Sequence, residues 1–128
     1  GYGLGYGTFE WGNCSLSTER CNVAALENKG LTISFSVKNT SERGGYIVPQ
    51  IYVTDVAAST VRRVKELKAF QKVWLDAGQE RTVSLQLGKE AFCLWNQKMK
   101  YVAEPGVFQI ELSDSAQTIW KGEFTLCI

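Results

Sequence analysis

The side chains with the widest chemical range in this chain are its four cysteines, Cys14, Cys21, Cys93 and Cys127. An even number in a small domain points to two disulfides, with three connectivities open. Pairing Cys14 with Cys21 closes a short loop, and pairing Cys93 with Cys127 ties the late chain to its end. The alternative is four thiols packed as small hydrophobes. Zinc sites need closely spaced cysteine pairs or histidine partners, and the chain has no histidine. The same absence removes Ser-His-Asp and Cys-His nucleophilic catalysis. No metal and no cofactor are expected. Two Asn-x-Ser/Thr sequons, at Asn13 and Asn39, join the cysteines in favouring an oxidising, secretory route.

Carboxylates number 13. Glycoside hydrolysis needs two of them roughly 5–10 Å apart across a sugar, but most here fall in turn-like or outward-facing positions. Glu66 and Glu104 are the two whose burial would matter, and a structural salt bridge is the expected role of each. Aromatic side chains offer a different chemistry. Trp11, Phe35, Phe92, Phe108 and Phe124 fit a core. Trp74 lies between Val73 and Leu75, so alternation sends it to the opposite face, and Trp95 and Tyr101 flank a hairpin turn. An exposed row of such rings can stack on sugar rings or on a phenolic polymer such as lignin. It can equally pack against a neighbouring domain or cover a sheet edge.

The opening stretch, "GYGLGYG", is not a phosphate-binding loop. Its glycines recur every second residue, with no strand before them and no helix after. Without a basic start or an apolar run it is not expected to be a secretory leader. It reads as a connecting segment that enters a strand. The 14 basic and 13 acidic side chains leave a net charge of +1, which gives no electrostatic case for nucleic acid or an anionic membrane. Arg62, Arg63, Lys65, Lys68 and Lys72 form the densest basic stretch, expected to be the solvated face of strands. No stretch has the length of a membrane span. A composition 45% hydrophobic and 21% charged fits one globular domain over the 128 residues.

The elements that must position these residues repeat with period two. Leu31, Ile33, Phe35 and Val37 alternate with polar residues, as in a strand with one buried face. Tyr46–Asp55 is a second strand whose Pro49 belongs at an edge or bulge. Val64–Leu75 is β-like with a kink, and Arg81–Leu87 follows a turn over Asp76–Glu80. Gly88–Phe92 has room for one helical turn, and Cys93–Glu104 reads as a hairpin around Asn96–Lys98. Two last strands follow Pro105. Only Ser17–Ala25 is ambiguous, irregular or a short turn. Seven to eight short strands without a long helix give an all-β, antiparallel immunoglobulin-like β-sandwich.

Taken in order, "GYGLGYGTFEW", "LTISFSVKNT", "VPQIYVTD", "VRRVKELKAFQKVWL", "LDAGQERTVSLQL" and "GKEAFCLWNQKMKYVAEPGVFQIEL" resemble the C-terminal fibronectin type III-like domain of glycoside hydrolase family 3, the β-glucosidase and β-xylosidase family. The resemblance covers nearly the whole chain apart from about Cys14 to Lys29. It departs from the family at Arg63, Ala69, Ala77, Lys89 and Met99, where proline or glycine is usual. The resemblance implies that residues 1–8 lead in from a preceding domain, that the catalytic residues lie in domains absent from this sequence, and that this portion is a non-catalytic brace for them in a secreted enzyme. A freestanding module binding carbohydrate or lignin through Trp74, Trp95 and Tyr101 is the alternative. A small enzyme with newly acquired chemistry is a third reading.

Overall fold

The computed structural model describes residues 9–56, 65–92, 106–114 and 117–127, and the backbone of 93–95 and 101–103. The strand carrying the clearest alternation, β3 (Leu31–Asn39), is the centre of a three-stranded antiparallel sheet. It lies between β1 (Phe9–Leu16) and β8 (Glu80–Leu87). Leu31, Ile33, Phe35 and Val37 are buried, facing Leu87, Leu85, Val83 and Arg81 across the ladder. The register of β1 slips between Gly12 and Ser15, and Asn13 takes a left-handed conformation there, with φ of 53°.

The second sheet has five strands, in the order β2 (Arg20–Asn22), β12 (Gln117–Cys127), β11 (Gly106–Asp114), β5 (Pro49–Asp55) and β6 (Lys65–Phe70). Two short ribbons complete the fold: β4 (Gly45–Ile47) with β7 (Val73–Leu75), and β9 (Cys93–Trp95) with β10 (Tyr101–Ala103). A continuous cluster of buried apolar side chains, from Trp11 to Leu126, draws on both large sheets. Each fully buried Phe, Leu or Ile in it contributes roughly 1.5–3 kcal/mol. All five aromatics assigned to the core from the sequence are buried.

The expected strands correspond to the long ones, β1, β3, β5, β6, β8, β11 and β12. The short segments arise where the chain crosses between sheets. The expected kink in Val64–Leu75 is the break between β6 and β7, and the helical turn is a 3₁₀ segment at Lys89–Phe92.

Three features differ from the sequence reading. Pro49 does not lie on an edge strand. It opens β5, which has neighbours on both sides, and the first residue of a strand tolerates the missing N–H. β2 pairs with β12 in parallel, against the antiparallel rule of the rest. The ambiguous stretch Ser17–Ala25 runs into a short helix, α1 (Val23–Lys29), begun by Asn22, whose Oδ1 accepts from Ala25 N at 2.7 Å. It ends at Gly30, with φ of 69°, whose N–H returns to Leu26 O.

Candidate functional site

Trp74 faces outward from β7, as alternation requires, because Val73 and Leu75 on either side are buried. Its cross-strand partner on β4 is Tyr46. The two rings meet edge to face with centroids 4.8 Å apart, and Trp74 and Tyr46 remain 44% and 56% exposed. Asp76 Oδ1 accepts from the indole N–H at 2.8 Å, and the ammonium of Lys72 sits 4.2 Å from the centre of the Tyr46 ring. The indole lies across Gly44, where a Cβ would come within 2.3 Å of it. These contacts hold the ring pair in one orientation while leaving apolar surface in water. Tyr46 was missed in the sequence reading. Its alternation with buried Ile47 was the available signal, but pairing it with Trp74 needs the ribbon register.

Trp95 and Tyr101 are direct partners in the β9–β10 ribbon, on a different ribbon from Trp74. Their side chains lie outside the described residues, as do Asn96–Lys98, where the hairpin turn is expected, and Glu104. Two further exposed hydrophobics, Leu67 (44%) and Phe70 (66%), lie on β6, so the apolar surface of the described residues concentrates in Tyr46 and the segment 67–74.

Among the basic residues, Arg62 and Arg63 lie outside the described residues. Lys65 is half exposed, as a solvated face requires. Lys68 is not: its side chain keeps only 12% exposure and pairs with Glu66 at 3.2 Å, because β6 turns this side of the strand toward the sandwich. Glu66 thus has the structural salt bridge expected of it. The Glu66 end of the pair is 40% exposed and screened by solvent, so the pair contributes no more than about 1 kcal/mol.

Among the described residues, the carboxylate that is buried is Glu111 on β11, at 4% exposure. Its Oε2 accepts from Ser113 Oγ at 2.7 Å, Thr118 Oγ1 at 2.9 Å and Lys65 Nζ at 3.4 Å. Burial pushes this carboxyl up, but the two hydroxyl hydrogen bonds and the charge and hydrogen bond of Lys65 together outweigh it and hold it below its usual value. A carboxyl with a depressed folded-state pKa stabilises the fold above its ordinary pKa, and that stability is lost as pH falls through the folded value. Glu111→Gln is expected to cost about 1–3 kcal/mol at neutral pH and to flatten the acid limb of stability below about pH 4.3. Urea unfolding of both proteins at pH 7 and pH 3 checks this. Curves that run parallel would show that Glu111 does not carry the pH dependence.

The cysteines do not form the expected bridges. Cys14, Cys21 and Cys127 are free thiols, which rules out both Cys14–Cys21 and Cys93–Cys127 in this structure; the Cys93 side chain is outside the described residues. Cys14 and Cys21 pack beside the core, as the small-hydrophobe alternative holds. Burial pushes the Cys14 thiol up to about 12, and burial followed by the charge of Cys127 raises Cys21. The sequons part company as well. Asn13 is exposed on the β1 bulge. Asn39 is fully buried and its amide is spent inside the fold, on the carbonyls of Arg43 and Leu75, which corrects its reading as a glycosylation site. Among the described residues, no group of three or more His, Cys, Asp and Glu could hold a metal ion. No described helix is long and apolar enough to cross a membrane.

Two stacked, mainly antiparallel sheets around one apolar cluster define an immunoglobulin-like β-sandwich module. The family model described as "Fibronectin type III-like domain" matches residues 47–116, and the chain belongs to that family. It is 41% identical over 127 residues to the periplasmic β-glucosidase of Salmonella typhimurium, which covers 98% of this chain and 16% of that protein. A β-xylosidase of Formosa agariphila is 38% identical, covering 91% of this chain and 16% of that protein. The crystal structure of a β-glucosidase from Listeria innocua superposes with a TM-score of 0.78 at 37% identity, over 92% of this chain and 16% of that one. The chain therefore spans about one sixth of the length of these relatives. What it matches is their small accessory domain and not their catalytic domain, as the family 3 resemblance implied.

Proposed function

We propose that this chain is the accessory module of an exported family 3 glycosidase, a single domain over residues 1–128 whose first eight residues lead in from the catalytic portion. The observation that carries the reading is that relatives cover nearly all of this chain while it covers 16% of them. Its task is to brace the catalytic portion through an apolar flank and to help shape the substrate entrance. Tyr46, Leu67, Phe70 and Trp74 supply that flank, since exposed apolar surface of this kind marks an interaction site. The periplasmic relative and the exposed sequon at Asn13 support export.

The test compares thermal unfolding and glycosidase kinetics of the longer gene product with and without this segment. A lower Tm and a reduced kcat/KM are expected on deletion. Unchanged melting and kinetics would remove the bracing role. The pinned Tyr46–Trp74 pair also favours a second reading, contact with a polysaccharide or lignin surface, in which Trp95 and Tyr101 would share. Running Tyr46→Ala/Trp74→Ala beside the deletion separates the two. Lost Tm in the longer protein supports bracing, and lost retention on insoluble cellulose or lignin supports polymer binding.

A further inference from the structure

We propose that the cavity between β1 and β12 is a binding site for an organic cation of side-chain size, an alkylammonium or guanidinium group. The cavity measures about 220 Å³, and its walls include Cys14 and Leu16 of β1, Glu19 just beyond it, and Trp120, Gly122 and Glu123 of β12. It is smaller than the ~300–1,000 Å³ typical of pockets for drug-sized ligands, and it suits one cationic head with a short stem.

Three features select this chemistry. The first is the indole wall. A Cβ on Gly122 would come within 2.3 Å of the Trp120 ring, so the bare glycine lets the indole lie against the strand backbone. Trp120 is partly buried against the core, which holds it there. A cation over an indole face is drawn to the ring quadrupole, and tryptophan is the strongest aromatic partner. The second is charge. Glu19 and Glu123 are exposed at this cavity, and neither has an ion pair or side-chain hydrogen bond among the described residues. Arg20, next in sequence to Glu19, instead turns its Nε to Cys127 Sγ at 3.1 Å. The third is the apolar side formed by Leu16 and the neutral thiol of Cys14, suited to an aliphatic stem. Two carboxylates without an ion pair among the described residues favour a cation over a neutral sugar, which gains no Coulombic attraction from them, and repel an anion.

The experiment follows the Trp120 indole N–H in ¹H–¹⁵N spectra of the 128-residue chain, assigned with Trp120→Phe. Acetyl-arginine methylamide, spermidine and, as a neutral control, cellobiose are titrated in turn. A saturable shift with at least one cation is expected, with Kd roughly millimolar. Glu19→Gln/Glu123→Gln is expected to weaken it about tenfold while leaving the remaining spectrum unchanged, since both residues are exposed. A larger response to the arginine derivative assigns the site to a side chain of a neighbouring polypeptide, and a larger response to spermidine assigns it to a free polyamine. No saturable shift with either cation, an equal response to cellobiose, or wild-type affinity in the double variant would overturn the proposal.

Discussion

Replacing Phe92 with alanine is expected to destabilise the fold by about 4 kcal/mol. Phe92 is fully buried although it lies in a 3₁₀ turn and not in a strand. Its ring meets Phe108 at 5.0 Å edge to face and Phe124 at 5.1 Å tilted. Those two partners face each other directly across β11 and β12, so both are fixed by ladder hydrogen bonds. The hole left by alanine therefore cannot be closed by sliding one ring toward the other, and a site that cannot collapse lies at the costly end of the large-to-small range. Ala91 N reaches Gly88 O at 3.1 Å, and Lys89 pairs with Glu27 at 2.6 Å across an exposed surface. Equilibrium urea unfolding of Phe92→Ala and Phe92→Leu measures the effect. The leucine variant keeps most of the volume and is expected to lose less than about 1.5 kcal/mol. An alanine variant that loses as little as the leucine one would mean that the ring does not plug the core.

Residue type alone revealed Phe92 as core, and likewise the whole face of β3, because alternation is a local property that survives any arrangement of the sheets. The family motifs extended that reading to the order of the strands. What stayed hidden was set by contacts distant in sequence. Nothing in Arg20–Asn22 indicates a parallel partner more than one hundred residues away in β12. The helix after it was within reach, since Asn22 and Gly30 bracket it as cap and stop, but seven residues are too short for a helical period to outweigh the surrounding β pattern. Glu111 follows the polar phase of β11 and looks like a surface carboxylate. Only the bulge after Leu112 and the approach of Thr118 and Lys65 bury it. Among the candidate aromatics, Trp74 was legible because its buried neighbours fix its face. Its partner Tyr46 was not, because the chain between them leaves the ribbon and returns.

Asn39→Ala is expected to cost about 3 kcal/mol, because it leaves buried acceptors without donors. In the sequence Asn39 begins a sequon. In the fold it is a fastener between four segments. Its backbone N–H reaches Gln79 O and its carbonyl accepts from Gly78 N, each at 2.8 Å, which closes the turn before β8. Its Nδ2 donates to Arg43 O at 2.8 Å and Leu75 O at 3.1 Å, while Oδ1 accepts from Ser41 N at 2.9 Å and Ser41 Oγ at 2.8 Å. Alanine keeps the backbone bonds and loses all four side-chain ones. Solvent can reach the Ser41 groups, but the bond to Leu75 O is buried, and that carbonyl bears most of the cost. Asn39→Asp separates this account from simple loss of volume. It fills the same space but sets a carboxylate against the carbonyls of Leu75 and Arg43, so it is expected to lose at least as much as alanine at neutral pH and to recover in part on acidification. An aspartate variant as stable as the parent would show that the amide donors are not what holds these turns to the end of β7, beside the exposed pair of Tyr46 and Trp74.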